Sequence, residues 1–334
     1  MILVVGATGY VGRYLCVYLK EQGYDVLALG RSKQVQKFFE ENGVPFQHFD
    51  IKNEKDFDKL PTKNVDAIVN LAACLAEHET PIEEFFNINT IGTYRVLEFA
   101  RKNNIKKVIL SSSHKVYNDI EGKDIISEKD YPCYKGDHTP YIISKIAAEN
   151  FMEYYHKDFG LDTISLRFTG VHGYGEVLGF LSADGSYTKS TFEIFVEKAL
   201  KGDPICVWGD TSIKRDHVYI KDVLGAVECA IKAKKGISGV YNVASGVGYS
   251  LLDEAKAIAK VFNTGKVSKV TTDPSKQGLT RGYVYDISKA KKELGYKPKF
   301  TDLEVMLKDY KAEWETKKYK NYHHIKEDQK PVTF

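Results

Sequence analysis

The chain has 334 residues, of which 43% are hydrophobic and 28% charged, and 48 basic against 45 acidic residues leave a formal charge of +3. This length predicts two domains or one large α/β unit, and the composition excludes a disordered, collagen-like or fibrous protein. So small a positive surplus points to no nucleic-acid or membrane-surface partner.

In chain order, Ile2–Val5 is apolar, lacks a preceding basic stretch and reads as a first strand, not as a signal peptide. Further strand-length apolar runs follow at Val26–Leu29, Phe46–Phe49, Ala67–Leu71, Val108–Leu110 and Thr163–Leu166. Their nearly continuous apolarity predicts strands buried on both faces. Helix-length segments lie between them, at Tyr10–Gln22, Lys33–Asn42, Ile82–Asn103 and Tyr141–Asp158. A parallel crossover needs a helix, so this alternation predicts an α/β, Rossmann-type doubly wound parallel sheet. After Arg167 a glycine-rich stretch, Gly170–Gly185, breaks the rhythm before a helix at Thr191–Lys201. The runs Asp216–Ile220 and Gly239–Val243, flanking a helix at Lys221–Lys234, are expected to return to the main sheet, and the remainder is expected to be helical. The expected division is a nucleotide-binding domain of residues 1–167 plus about 215–247, a smaller mixed α/β substrate domain of about 168–214 plus 248–315, and a polar tail of 316–334.

No apolar run approaches the roughly 20 residues of a membrane span, so no membrane insertion is expected. The five cysteines, Cys16, Cys74, Cys133, Cys206 and Cys229, are odd in number and scattered, which points away from disulfides and zinc and toward a reducing cytoplasm. His323 and His324 in the tail read as surface residues, and no metal is expected.

Chemistry enters at Gly6-Ala7-Thr8-Gly9-Tyr10-Val11-Gly12, between the first strand and the first helix. Glycines there let the backbone turn tightly and approach a pyrophosphate, which the helix N-terminus stabilises. The end of the second strand reads Gly30-Arg31-Ser32, with a glycine where an acid would hold the ribose of NAD. The cation and hydroxyl suit a 2′-phosphate, so NADP is the expected cofactor and NAD the alternative; Arg31 as a solvated loop tip is the competing reading. Asp50-Ile51 follows the third strand, where Asp50 either meets an adenine amino group or caps its own turn. Tyr141 and Lys145 stand four residues apart on a helix, which sets a phenol beside an ammonium and should lower the phenol pKa. Ser111-Ser112-Ser113 ends the fifth strand, within reach of the same reacting oxygen.

Taken in order, these landmarks are joined by Asn70-Leu71-Ala72-Ala73, Asn89-Thr90-Ile91-Gly92-Thr93, Val116-Tyr117, Arg215-Asp216-His217-Val218-Tyr219 with Asp222, and Leu294-Gly295-Tyr296-Lys297-Pro298. From Met1 to about Trp314 the chain resembles the extended short-chain dehydrogenase/reductases, most closely the nucleotide-sugar epimerases and dehydratases similar to UDP-glucose 4-epimerase. The resemblance implies Tyr141 as catalytic base, Lys145 as its electrostatic partner and ribose ligand, and Ser113 as the hydroxyl on the reacting sugar oxygen. It implies Asn89 as active-site support, Leu71, Ala72 and Ala73 beside the cofactor, and Arg215 on the substrate pyrophosphate, a task suited to a planar guanidinium. Lys276 stands for a later arginine of the substrate domain, with Arg281 nearby as a substitute.

Two departures bear on the reaction. His114-Lys115 occupies the place of the Asp-Glu pair of dehydratases, so elimination of water is not expected. Gly170 stands where the family often has asparagine, which removes one phosphate or sugar contact. The expected function is an NAD(P)-dependent nucleotide-sugar epimerase working through a keto intermediate, with C4 the expected carbon, and the chain is expected to form a homodimer. An NADPH-dependent nucleotide-sugar 4-ketoreductase is the alternative, and a catalytically silent cofactor-binding regulator or scaffold a third reading.

Overall fold

The computed structural model describes residues 1–75, 80–117, 120–130, 138–175, 180–181 and 187–319. Seven strands form its main sheet: β1 (Ile2–Val5), β2 (Val26–Gly30), β3 (Phe46–His48), β4 (Ala67–Asn70), β5 (Lys107–Ser113), β6 (Asp162–Phe168) and β7 (Gly239–Val243). They run in the order β7-β6-β5-β4-β1-β2-β3 and every pairing is parallel. Side chains of a strand alternate between faces, and here both faces are covered. Ile2, Val4, Ala28, Val69 and Ile109 pack on one side with Leu15 and Leu19 of helix α1 (Tyr10–Glu21). Leu3, Val5, Leu29, Ile68, Val108 and Leu110 pack on the other with Val96 and Leu97 of α2 (Ile91–Lys102) and Met152 and Tyr155 of α3 (Pro140–Phe159). This double covering explains the unbroken apolarity of the strands.

The expected helix at Ile82–Asn103 is continuous but contains a widened turn of π geometry at Phe86–Thr90, just before α2. Such turns displace the following side chains and often occur at functional sites. The helix α3 begins cleanly: Thr139 accepts from the Ile142 amide, Pro140 occupies the first turn, and Gly160 ends the helix at φ 65°.

Beyond β6 the structure departs from expectation. Of the two runs expected to return to the main sheet, only Gly239–Val243 does so. His217–Tyr219 instead pairs in parallel with Gly170–His172, because β7 already occupies the free edge of β6. The final third, expected to be helical, also contains strands at Tyr249–Ser250, Val270–Asp273 and Val284–Tyr285. Strands of two to four residues are too short to show a period of two. Their partners are far in sequence: Lys214–Arg215, Ile205–Trp208 and Ile125–Ile126, respectively. The last helix spans Leu303–Thr316, after which Tyr319 is buried and stacks on Tyr14 with ring centres 3.6 Å apart. Cys133, His323 and His324 lie outside the described residues. Among the described residues no helix is long and apolar enough to cross a membrane.

Candidate active site

The glycine loop joins β1 to α1 at the carboxyl edge of the sheet. Gly6 has φ +80°, and a Cβ on it would lie 2.5 Å from the Ala72 nitrogen; a Cβ on Gly12 would lie 2.5 Å from the Gly6 carbonyl oxygen. Both glycines are therefore required by close backbone approach, and the first draws the Leu71-Ala72-Ala73 segment against the loop. Gly9 caps α1 without any side-chain bond, so no side chain of the cap competes with an anion for the helix N-terminus. These features fit a dinucleotide pyrophosphate. The glycine at position 30 has a local cause: a Cβ there would fall 2.5 Å from Thr8 Cγ2, so no acid fits at this point of β2 while Thr8 keeps its place. Arg31 is exposed and makes no ion pair among the described residues, and the Ser32 side chain caps nothing. Asp50 accepts from the Lys52 amide at 3.0 Å, so its carboxylate holds its own turn, and Ile51 is buried against Gly92.

Ser113 ends β5, and Tyr141 and Lys145 stand on the first turns of α3, so three residues from two elements converge. The Lys145 ammonium is buried, donates to the Ser111 carbonyl at 2.8 Å and lies 5.9 Å from the Tyr141 ring centre. Its expected lowering of the tyrosine pKa is not found in the free chain. Burial raises Tyr141 above the ordinary phenol range, and the Ser113 hydroxyl offsets only part of this. Burial also brings Lys145 down to about 8, opposed by the charge of Glu149. Asn89, in the widened turn, donates to the Cys74 carbonyl at 3.1 Å and to Ser144 Oγ at 2.9 Å, and accepts from the Cys74 amide at 2.7 Å. It thereby ties the loop after β4 to the helix that carries Tyr141 and Lys145.

On the far side of this edge Arg215 is half-buried, with a loose contact of 3.8 Å to Glu254. Asp216 holds the surrounding strands together: it accepts from the Ser245 amide and hydroxyl, the Gly246 amide and the Tyr285 amide. Burial nevertheless raises its pKa to about 6. A Cβ on Gly282 would overlap the Lys214 carbonyl, which brings the 281–283 segment against Arg215. Arg281 donates to the Tyr283 hydroxyl at 3.1 Å. Lys276 is not part of this group; its ammonium lies 4.4 Å above the ring of Trp208.

Residues 2–244 match the NAD dependent epimerase/dehydratase family. The chain belongs to this family. It is 27% identical over 323 residues to the UDP-glucose 4-epimerase of Halalkalibacterium halodurans, covering 92% of this chain and 93% of the relative. Its fold resembles the crystal structure of UDP-glucose 4-epimerase from Thermotoga maritima with UDP-glucose, at TM-score 0.73 and 26% identity over 94% of this chain and 98% of that one. It also resembles UDP-glucuronic acid 4-epimerase from Bacillus cereus in complex with NAD, at TM-score 0.72 and 26% identity over 92% and 97%. The chain is an enzyme of the extended short-chain dehydrogenase/reductase type, as the order of its motifs implied. The sugar is neutral in one named neighbour and acidic in the other.

Within this epimerase/dehydratase frame, sequence reasoning passed over the buried polar network behind Ser113, Tyr141 and Lys145. Glu149 sits one helical turn beyond Lys145 and accepts from Ser112 Oγ at 2.5 Å, Arg167 Nε at 2.9 Å and Arg167 Nη2 at 2.6 Å. The Arg167 guanidinium covers the ring of Tyr117 at 4.5 Å, and Tyr117 donates to Asn242 at 2.8 Å. One signal was available: residues 141, 145 and 149 repeat every fourth position on a single helix face.

Proposed function

We propose that the enzyme is a nucleoside-diphosphate sugar epimerase that inverts a sugar carbon, C4, by reversible oxidation through a keto sugar. The observation that carries this reading is the convergence of Ser113, Tyr141 and Lys145 at the carboxyl edge of β5, beside the glycine loop. Gly6, Thr8, Gly9, Tyr10, Val11, Gly12, Asp50, Ile51, Leu71, Ala72 and Ala73 would hold NAD(P). When bound, the nicotinamide supplies the hydride acceptor and donor. Tyr141 takes the proton of the sugar hydroxyl, Ser113 Oγ holds the same oxygen, and Lys145 contributes positive charge as the phenolate forms. Asn89 fixes α3 to the loop after β4 and so keeps these groups in register. Arg215 meets the pyrophosphate of the substrate between the cofactor and substrate sides, with Arg281 adjacent.

The unpaired, exposed Arg31 and the lack of an acid at Gly30 support NADP over NAD. The same residues favour one second reading, a 4-ketoreductase that exchanges NADPH with solution. Tyr94 and Phe151 pack with ring centres 5.7 Å apart, and Tyr94, Ile143 and Tyr154 leave a substantial apolar surface exposed on the adjoining helices α2 and α3, which supports a homodimer. The free thiols of Cys16, Cys206 and Cys229 support a reducing, cytoplasmic setting. Denaturing the purified protein and identifying the released molecules by mass spectrometry tests the reading. A dinucleotide is expected, together with thermal protection by at least one of UDP-, GDP-, CDP- or dTDP-sugars. Protection by free sugars or unrelated alcohols alone would refute the nucleotide-sugar assignment.

A further inference from the structure

The two residues after Ser113 take no part in the steps above, yet both stand at the reacting end of β5. His114 Nδ1 lies 2.9 Å from the Tyr285 hydroxyl oxygen, with the rings nearly perpendicular at 75°. Burial keeps the Tyr285 phenol above its ordinary range and brings the imidazole down to about 4, so both groups are neutral at physiological pH. The phenol has no other acceptor among the described residues and therefore donates to Nδ1. The imidazole proton then lies on Nε2, an assignment made from the hydrogen-bond network. Nε2 makes no hydrogen bond among the described residues and is not fully enclosed, so its N–H is left to meet a ligand. The ring is held from across the edge: the Tyr285 amide donates to Asp216 at 3.2 Å, and Val284–Tyr285 pairs with Ile125–Ile126.

Lys115 is anchored by its amide, which donates to Ser113 Oγ at 3.2 Å. Its exposed ammonium lies 5.9 Å from the Tyr141 ring centre, the same distance as that of Lys145. Lys145 is occupied by the Ser111 carbonyl, whereas no carboxylate pairs with Lys115 among the described residues. Lys115 thus sets a cation that is unpaired among the described residues beside Tyr141, and the oriented neutral donor of His114 precedes it in the chain.

We propose that His114 and Lys115 recognise a carboxylate on the sugar, so that the preferred substrate is a nucleoside-diphosphate uronic acid. This rests on the nucleotide-sugar reading and names the class of sugar. A carboxylate offers two acceptor oxygens, one for the Nε2–H of His114 and one for the ammonium, and the second bond is charge-assisted. A hydroxymethyl group in the same place would leave the ammonium without an anion. The geometry of a pyranose agrees, since the carboxylate carbon is two bonds from C4, the carbon assigned to Tyr141.

The test uses the full chain and measures Kd and KM for UDP-glucuronic acid and UDP-glucose side by side. Wild type should favour the uronic acid by roughly tenfold or more, the scale of one charge-assisted contact. Lys115→Ala should bring the ratio of the two affinities close to one, chiefly through KM for the acid, and Lys115→Arg should restore most of it. His114→Phe should reduce the ratio further than Tyr285→Phe, which removes only the partner that orients the ring. A wild type without preference, or a preference that survives Lys115→Ala, overturns the proposal. If both sugars bind equally well, this inference alone falls; if neither binds, the nucleotide-sugar reading falls with it.

Discussion

Lys145 and Arg167 are two cations buried in one seam between α3 and the β5–β6 pair, and the fold treats them in opposite ways. Arg167 makes two charge-assisted bonds to Glu149, which also takes the Ser112 hydroxyl, and its face rests on Tyr117. Burial works against its charge, but the Glu149 bonds outweigh that and hold it firmly protonated. Lys145, one helical turn from Glu149, has a single carbonyl oxygen for its ammonium, and burial brings it to about 8. The paired charge fixes the helix to the sheet; the under-compensated one is left available beside Tyr141, the base of the proposed reaction. A buried charge with complete partners reads as scaffold, and one with incomplete partners reads as a functional group whose cost the scaffold carries.

Breaking the pair should have the largest effect. Glu149→Gln leaves Arg167 buried without its counter-ion and should cost about 3–5 kcal/mol in denaturant unfolding. A midpoint close to wild type would remove the contrast. Tyr141→Phe should lower turnover by a factor on the order of 10² or more while the unfolding midpoint stays level or rises; lost stability without lost turnover would place the tyrosine with the scaffold.

Lys145→Met sharpens the comparison, because turnover and stability should move in opposite directions. A fall from the ordinary 10.5 to about 8 corresponds to about 3 kcal/mol at most, so after subtracting the lost carbonyl bond the variant should gain about 2 kcal/mol below pH 8. The sign follows from proton uptake: between pH 8 and 10.5 the unfolded chain holds the Lys145 proton more tightly than the folded one. Wild-type stability should therefore rise with pH across that window relative to Lys145→Met, and denaturation of the two proteins at matched pH values measures the difference. The smallest effect is expected at a screened surface charge. Arg31→Ala should weaken NADPH binding by about 1 kcal/mol without changing NADH binding or stability, and titration of both cofactors reads this directly.

The local features of this enzyme were legible because each is made by neighbours in the chain. The glycine loop between strand and helix, and the Tyr141–Lys145 spacing on one helical face, need only a few consecutive residues to specify their geometry. Continuous apolar runs announced a sheet covered on both sides. What the sequence left open depends on partners distant in the chain. Both Asp216–Ile220 and Gly239–Val243 read as strands of the main sheet, yet only Gly239–Val243 pairs with β6, whose one free edge it takes. The glycine at position 30 needed the packing of Thr8 to explain it. The Glu149–Arg167 pair joins residues 18 apart, and the His114–Tyr285 contact spans 171 positions. Hydrophobic pattern and local spacing thus determined the doubly wound sheet and the placing of Tyr141 and Lys145 on one helix face, because both arise from periodicities of a few residues. Tertiary structure alone decided which charges are compensated and which are left free, because compensation depends on burial and on groups brought together from opposite ends of the chain.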